Sequence, residues 1–455
     1  MTRTPRVLVS VAVAVLTGAL LTGAGLAGAG PATDRLGAAR VLAPAPPPAA
    51  PGPPRLRPVD GGPDFHARFA DGLPVDPSYF PIGLWYQDVP DLTTARDDAA
   101  AGITTYVELT EGSDLDAVRR AGMSAIVSGP RPGPVTGWLL ADEADMWAGP
   151  GEAPWTGSYP GQGEVCAPVE APCGYTVQQT LLDQLPADGR LRFANYGKGV
   201  LFGMDDADAA RFVNAYQDVV SVDAYWSTDG HLCGEGEGAR LLGTEALDAD
   251  RRLPDALCHR AANYGLMVDR VRSLVQPAGS RPVWAFVELG HPSTDDAEPS
   301  ITAAQVRAAV WSSLVHEARG IVYFGHSFGG PCPTQHALRD PCYADVRATV
   351  TELHEQLRSL APVLNAPTVD GATTVAGDVD VLTKYSGGDL HLLATATGEG
   401  ASGATFRVGC AGDATVSVFG EQRSVPMTGG VFSDRFAGAG STHVYEVPDG
   451  AGCRF

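Results

Sequence analysis

From residue 79 to residue 360, short apolar runs alternate with stretches of helical period. The runs at 79–86, 103–109, 123–129, 191–197, 219–226, 282–289 and 320–328 have the length and β-branched or aromatic content of buried strands. An eighth run lies within 135–145. There Val135, Trp138, Leu139 and Leu140 give way abruptly to Asp142, Glu143 and Asp145. Between the runs, helices are expected at 114–121, 177–185, 207–216, 264–275 and 343–360. Ser113 is the expected N-cap of the first. A further helix opens at Thr302, where Gln305 completes a capping-box pattern and Val306, Val310 and Leu314 form the apolar stripe. Eight strands alternating with helices over about 290 residues predict an α/β fold, a (β/α)8 barrel. A doubly wound open sheet lacks support, because no glycine-rich phosphate loop follows the first run.

The texture changes after Pro367. Short alternating runs separated by Gly-rich turns predict a small antiparallel β-sandwich. Before the barrel, residues 1–29 have the form of a signal peptide: Arg3 and Arg6, an apolar core, then Ala27-Gly28-Ala29. Residues 30–77 are rich in Pro and Ala and read as a flexible or polyproline linker. The expected organisation is therefore signal peptide 1–29, linker 30–77, barrel 78–366 and β-sandwich 367–455.

Charge and cysteines narrow the setting. The 455-residue chain carries a net charge of −21, which disfavours nucleic acid and anionic membranes as partners. Its eight cysteines fall into neighbouring couples, Cys166/Cys173, Cys233/Cys258, Cys332/Cys342 and Cys410/Cys453. An even number in an exported chain reads as four sequential disulfides. No C-x2-C or Cys/His cluster suggests zinc, and no cofactor is expected. The expectation is a secreted, extracellular monomer, free of the membrane once the signal is cleaved.

Candidate chemistry sits at the strand ends. Glu143 follows the fourth strand and Glu288 ends the seventh. Strand alternation puts Glu143 on the face of Leu139 and Ala141, and Glu288 on the face of Trp284 and Phe286. Acids at the carboxyl ends of barrel strands suit glycosidic cleavage, which needs one protonated and one ionised carboxyl. Trp85, Glu108, Asp142, Asn195, Tyr225, Trp226, Trp284 and His326 are the candidate substrate-binding groups, through hydroxyl hydrogen bonds or ring stacking. A serine hydrolase is disfavoured, because no G-x-S-x-G motif occurs.

The stretches FPIGLWYQ, GWLLADEAD, RPVWAFVELG and ARGIVYFGHSF…LAPVLNAP together resemble clan-A-type (β/α)8 glycoside hydrolases, in particular bacterial cellulase- or β-galactosidase-like barrels. The resemblance spans residues 79–367. It implies an acid/base role for Glu143 and a nucleophile role for Glu288, hence retaining hydrolysis of a poly- or oligosaccharide with the two carboxyls ~5–5.5 Å apart. Asp142 stands where the clan usually has Asn. The alternative is a catalytically inactive carbohydrate-binding barrel.

Overall fold

A computed structural model describes residues 48–448 and 450–455. The expected signal peptide and the first part of the expected linker lie outside the described residues. The first strand is β1 (Arg55–Arg57). The eight that follow are β2 (Ile82–Gln87), β3 (Thr105–Leu109), β4 (Ser124–Ser128), β5 (Gly137–Leu139), β6 (Leu191–Tyr196), β7 (Val219–Val222), β8 (Val283–Glu288) and β9 (Ile321–Phe324). They pair in parallel in chain order, and β9 returns to β2 to close the barrel.

Both faces of these strands are buried, which is why the runs are almost continuously apolar. Val107, Ile126, Leu139, Phe193, Val219, Trp284, Phe286 and Val322 fill the interior. Their neighbours, such as Tyr106, Val127, Trp138, Val220 and Val287, pack outward in one core with the surrounding helices. The expected capping box opens the helix Ala303–Val315, where Thr302 and Gln305 bond each other reciprocally. The helix Leu115–Arg120 is capped by Asp114, whose carboxylate accepts from the Ala117 N–H, and not by the expected Ser113. The Ser113 hydroxyl instead accepts from the Val89 N–H.

The C-terminal strands are β10 (Thr368–Asp370), β11 (Thr373–Ala376), β12 (Val379–Ser386), β13 (Asp389–Ala396), β14 (Ser402–Val408), β15 (Ala414–Val418), β16 (Arg423–Met427), β17 (Val431–Phe436) and β18 (Thr442–Val447). One sheet runs β1-β10-β12-β13-β18-β15-β16 and the other β11-β14-β17. Leu390, Leu392, Phe406, Phe432, Phe436 and Tyr445 meet between them. The expected sandwich is thus present.

The described part of the stretch expected to be a flexible linker is ordered. β1 adds an antiparallel edge to β10, while Phe65 and Leu73 join the interior cluster of the barrel. Two apolar anchors and a strand edge outweigh the proline content. An ionic network fixes the same junction. Arg57 reaches Glu317 (2.5 Å), Asp60 (3.2 Å) and Asp370 (3.1 Å). Arg272 also binds Asp60 (2.6 Å), and Glu317 accepts from Thr368 of β10 (2.9 Å). The paired arginines hold the Glu317 carboxyl down to about 2 against the opposing effect of burial.

All four expected cystine pairs form: Cys166–Cys173, Cys233–Cys258, Cys332–Cys342 and Cys410–Cys453. The first three close the long loops that follow β5, β7 and β9. No described helix is long and apolar enough to cross a membrane.

Candidate active site

The carboxyl ends of the barrel strands carry a ring of polar and aromatic side chains. Glu108 at the end of β3 is paired with Arg131 beyond β4 (2.5 Å). Past β5 come Asp142 and Glu143. Asn195 on β6 is buried and bridges two acids, its amide donating to Asp142 (2.9 Å) and to Asp223 beyond β7 (3.1 Å). The Ser221 hydroxyl donates to the other end of the same amide (2.8 Å), which fixes its orientation. Tyr225 donates its phenol to Asp223 (2.9 Å). Its ring packs on Phe324 (5.1 Å between centroids), Phe324 on His326 (5.0 Å) and His326 on Tyr86 (6.0 Å). Trp85 and Phe286 meet at 5.4 Å beneath this ring.

Backbone strain marks the same rim. Tyr86, Glu108 and Glu143 have φ of 47°, 63° and 48°, a left-handed conformation that costs a side-chain-bearing residue roughly 1–2 kcal/mol. Such residues persist where surrounding structure over-determines them, often at functional sites. β5 ends at Leu139, so Glu143 does not follow from strand alternation as expected. It caps the short helix Ala144–Trp147 from a left-handed turn. Asp145, buried behind it, accepts from the Gly197 and Val200 N–H groups (3.1 and 2.8 Å) and latches the β5 and β6 ends together. Gly197 gives the Glu143 carboxyl room, since a Cβ there would lie 2.6 Å from its Oε1.

Electrostatics separate the acids. Burial first, then the charges of Asp223 and Asp142, push the Glu143 carboxyl well above its ordinary range. Its carboxyl adjoins that of Asp223, and each bears on the other's titration. Burial raises Asp223 too, but donors from Tyr225, Asn195 and Glu143 oppose the rise. Asp142 is raised by burial and by Asp223, with Asn195 opposing. All three carboxyls are thus raised, Glu143 by its burial and by both neighbours, and Asp142 to about 8.

Of the expected site residues, Glu108, Asp142, Glu143, Asn195, Tyr225 and His326 are brought together here. The three tryptophans are not available as sugar platforms. Trp85 lies in the barrel floor, Trp226 packs edge-on against Phe202 at 0% exposure, and Trp284 packs against Phe193 inside the barrel, also at 0%. A ring with no free face cannot stack on a ligand. Glu288 likewise has 0% exposure. Its oxygens accept from Tyr264 (2.6 Å), the Ser227 N–H (3.2 Å) and Thr228 (3.2 Å). Burial raises its carboxyl to about 7 while those donors oppose it. In this position it pins the loop after β7 and presents no open face to an anomeric carbon. Arg131, Asp223 and Tyr86 complete the ring. Asp223 was visible in the sequence only as one polar strand end among several.

Cys233, Cys258 and His259 lie close enough together to hold an ion, but the two sulfurs are joined to each other.

No family model matches the chain, and no curated protein matches it. Among solved structures it is similar to a protein described as a glycoside hydrolase, at 11% identity and TM-score 0.45, covering 82% of this chain and 93% of that one. A GH30 endoxylanase from Clostridium papyrosolvens matches at 9% and 0.37, covering 81% and 97%. An alpha-amylase from Geobacillus thermoleovorans matches at 10% and 0.41, covering 81% and 98%. At these identities and TM-scores none of them bears on what this chain binds or does.

Proposed function

We propose that the chain is an exported glycosidase acting on a poly- or oligosaccharide, with Glu143 as the proton donor. The observation that carries this reading is the buried cluster of Glu143, Asp142 and Asp223 at the strand ends, where burial and the neighbouring charges push the Glu143 carboxyl well above its ordinary range. A general acid must keep its proton at working pH and release it to a leaving oxygen. Burial and two neighbouring carboxylates supply the first property. The second needs only that the Glu143 O–H turn to the glycosidic oxygen as substrate enters.

Asp223 and Asp142 would then face the positive charge that develops at the anomeric carbon. Once deprotonated, Glu143 can take a proton from the incoming water. Tyr225, Asn195 and His326 offer hydrogen bonds to sugar hydroxyls. Asp142, Glu143 and Asp223 stand together, while Arg131 is already paired with Glu108, which favours a neutral glycan over one bearing uronates or sulfates. Attack by Glu288, as in a double displacement, would require its release from Tyr264, Ser227 and Thr228. In this reading Asp223 is the neighbour that keeps Glu143 protonated and faces the charge that develops at the anomeric carbon. Four disulfides favour an oxidising, extracellular setting.

The test is product chromatography after incubation with a panel of neutral polysaccharides. Wild type should release oligosaccharides, and Glu143→Gln should lose about 10²–10⁴-fold of that rate. Binding without any product from wild type would leave a carbohydrate-binding barrel.

A further inference from the structure

The opposite end of the barrel holds a cavity of ≈80 Å³ that the chemistry above does not use. Its walls come from residues that precede strands: Pro81 before β2, Pro282 before β8 and Arg319 before β9. Asn365 after the last helix and the segment carrying His66 complete it. Pro63, Pro74 and Pro77 stiffen the rim.

Arg319 is largely buried there and makes one hydrogen bond, from Nη1 to the Leu364 carbonyl (3.1 Å). Among the described residues no carboxylate pairs with it, and its Nε has no partner. The Nδ1 of His66, in the same wall, has none either. Asp60 and Asp76 also line the cavity, but Arg57 and Arg272 already occupy Asp60, and Asp76 accepts from the Ser78 N–H and hydroxyl. Around this end the direct ion pairs of Asp60, Glu317 and Asp370 all go to other arginines, among them Arg57 and Arg272, and none to Arg319. A buried cation without a counter-ion is costly, and native structures normally pair it. We propose that this cavity binds a small oxyanion of the sulfate or phosphate type, held by Arg319 and His66.

Burial also lowers the Arg319 guanidinium to about 10, only partly opposed by the charges of Asp60 and Glu317, whereas direct pairing raises Arg57. Burial and the charge of Arg319 lower His66 to about 4, so the imidazole would serve as a neutral donor. An anion here would tie the segment carrying Phe65 and Leu73 to the strand openings. Its effect would be on stability, since the cavity is at the far end from the acids.

The test is thermal unfolding of the full chain in sodium sulfate, compared with sodium chloride at matched ionic strength. Sulfate also stabilises proteins generally, and without saturation, so the shape of the response decides. Wild type should show a saturable rise of a few degrees at millimolar sulfate, and Arg319→Met should keep only the shallow linear rise. Should Arg319→Met fail to fold, His66→Ala should weaken the saturable phase. Crystals soaked in selenate should also show an anomalous peak within hydrogen-bond distance of Arg319. Identical, non-saturating rises in wild type and variants, or a selenate-soaked cavity with no peak, would overturn the proposal.

Discussion

The carboxyls of Glu143 and Asp223 adjoin, bringing the end of β5 against the end of β7. Neither residue is near the other in sequence. Asn195, fixed by Ser221, holds Asp223 and Asp142 in place from the strand between them. The pair has a direct pH consequence. After burial, the charge of Asp223 is the largest influence raising Glu143, so Asp223→Asn removes that charge and lets the Glu143 carboxyl titrate lower. The alkaline limb of the kcat/KM profile should therefore move to lower pH in Asp223→Asn, by about one unit or more for a contact pair. An unmoved limb would mean that Glu143 is not the group titrating.

Gly197→Ala should disturb the acid while leaving the barrel intact. The added methyl would meet the Met146 sulfur and, at 2.6 Å, Glu143 Oε1, so both side chains must shift. Turnover should fall by ten- to a hundred-fold, since small misplacements of a reacting group are costly. Circular dichroism should show a wild-type fold. A variant with wild-type turnover would show that the placement of Glu143 is not critical.

The junction between barrel and sandwich should weaken in alkali. His316 lies between Asp269 (2.7 Å) and Asp380 of β12 (3.1 Å). Despite opposing burial, these carboxylates raise its imidazole from 6.5 to about 9. A raised folded-state value means the stabilisation is complete below pH 6.5 and is lost as pH rises through 9. Wild-type unfolding free energy should fall across that window by about 2–3 kcal/mol at most, less where solvent screens the pair. His316→Ala should flatten the slope. Equal slopes in both proteins would remove His316 from the junction.

The barrel was legible because strands buried on both faces leave unbroken apolar runs, as in β8. The disulfides were legible because each pair closes one local loop or joins the sandwich to its own last turn. The helix Leu92–Ala100 was not, since it buries only Ala95 and Asp98 and so shows no apolar stripe. β1 could not be seen because RLR becomes a strand only when β10 supplies an edge. At the site, Glu143 was found from its position after an apolar run, although strand alternation is not what places it. The burial of Glu288 was not legible for a related reason. Its partners Tyr264, Ser227 and Thr228 come from a helix and a loop, and periodicity along β8 carries no trace of them. Trp226 and Trp284 show the same limit, because composition does not distinguish a platform from a wall.

The most direct measurement compares Asp223→Asn with Glu288→Gln on one oligosaccharide substrate, with rates corrected for the folded fraction. Asp223→Asn should lose at least a hundred-fold in kcat/KM. Glu288→Gln should lose stability, by roughly 1–3 kcal/mol for a disturbed buried hydrogen-bond set, while the folded molecules turn over within a few-fold of wild type. A stable Glu288→Gln protein without turnover, beside an active Asp223→Asn, would contradict the Glu143–Asp223 pair and restore Glu288 as the attacking group.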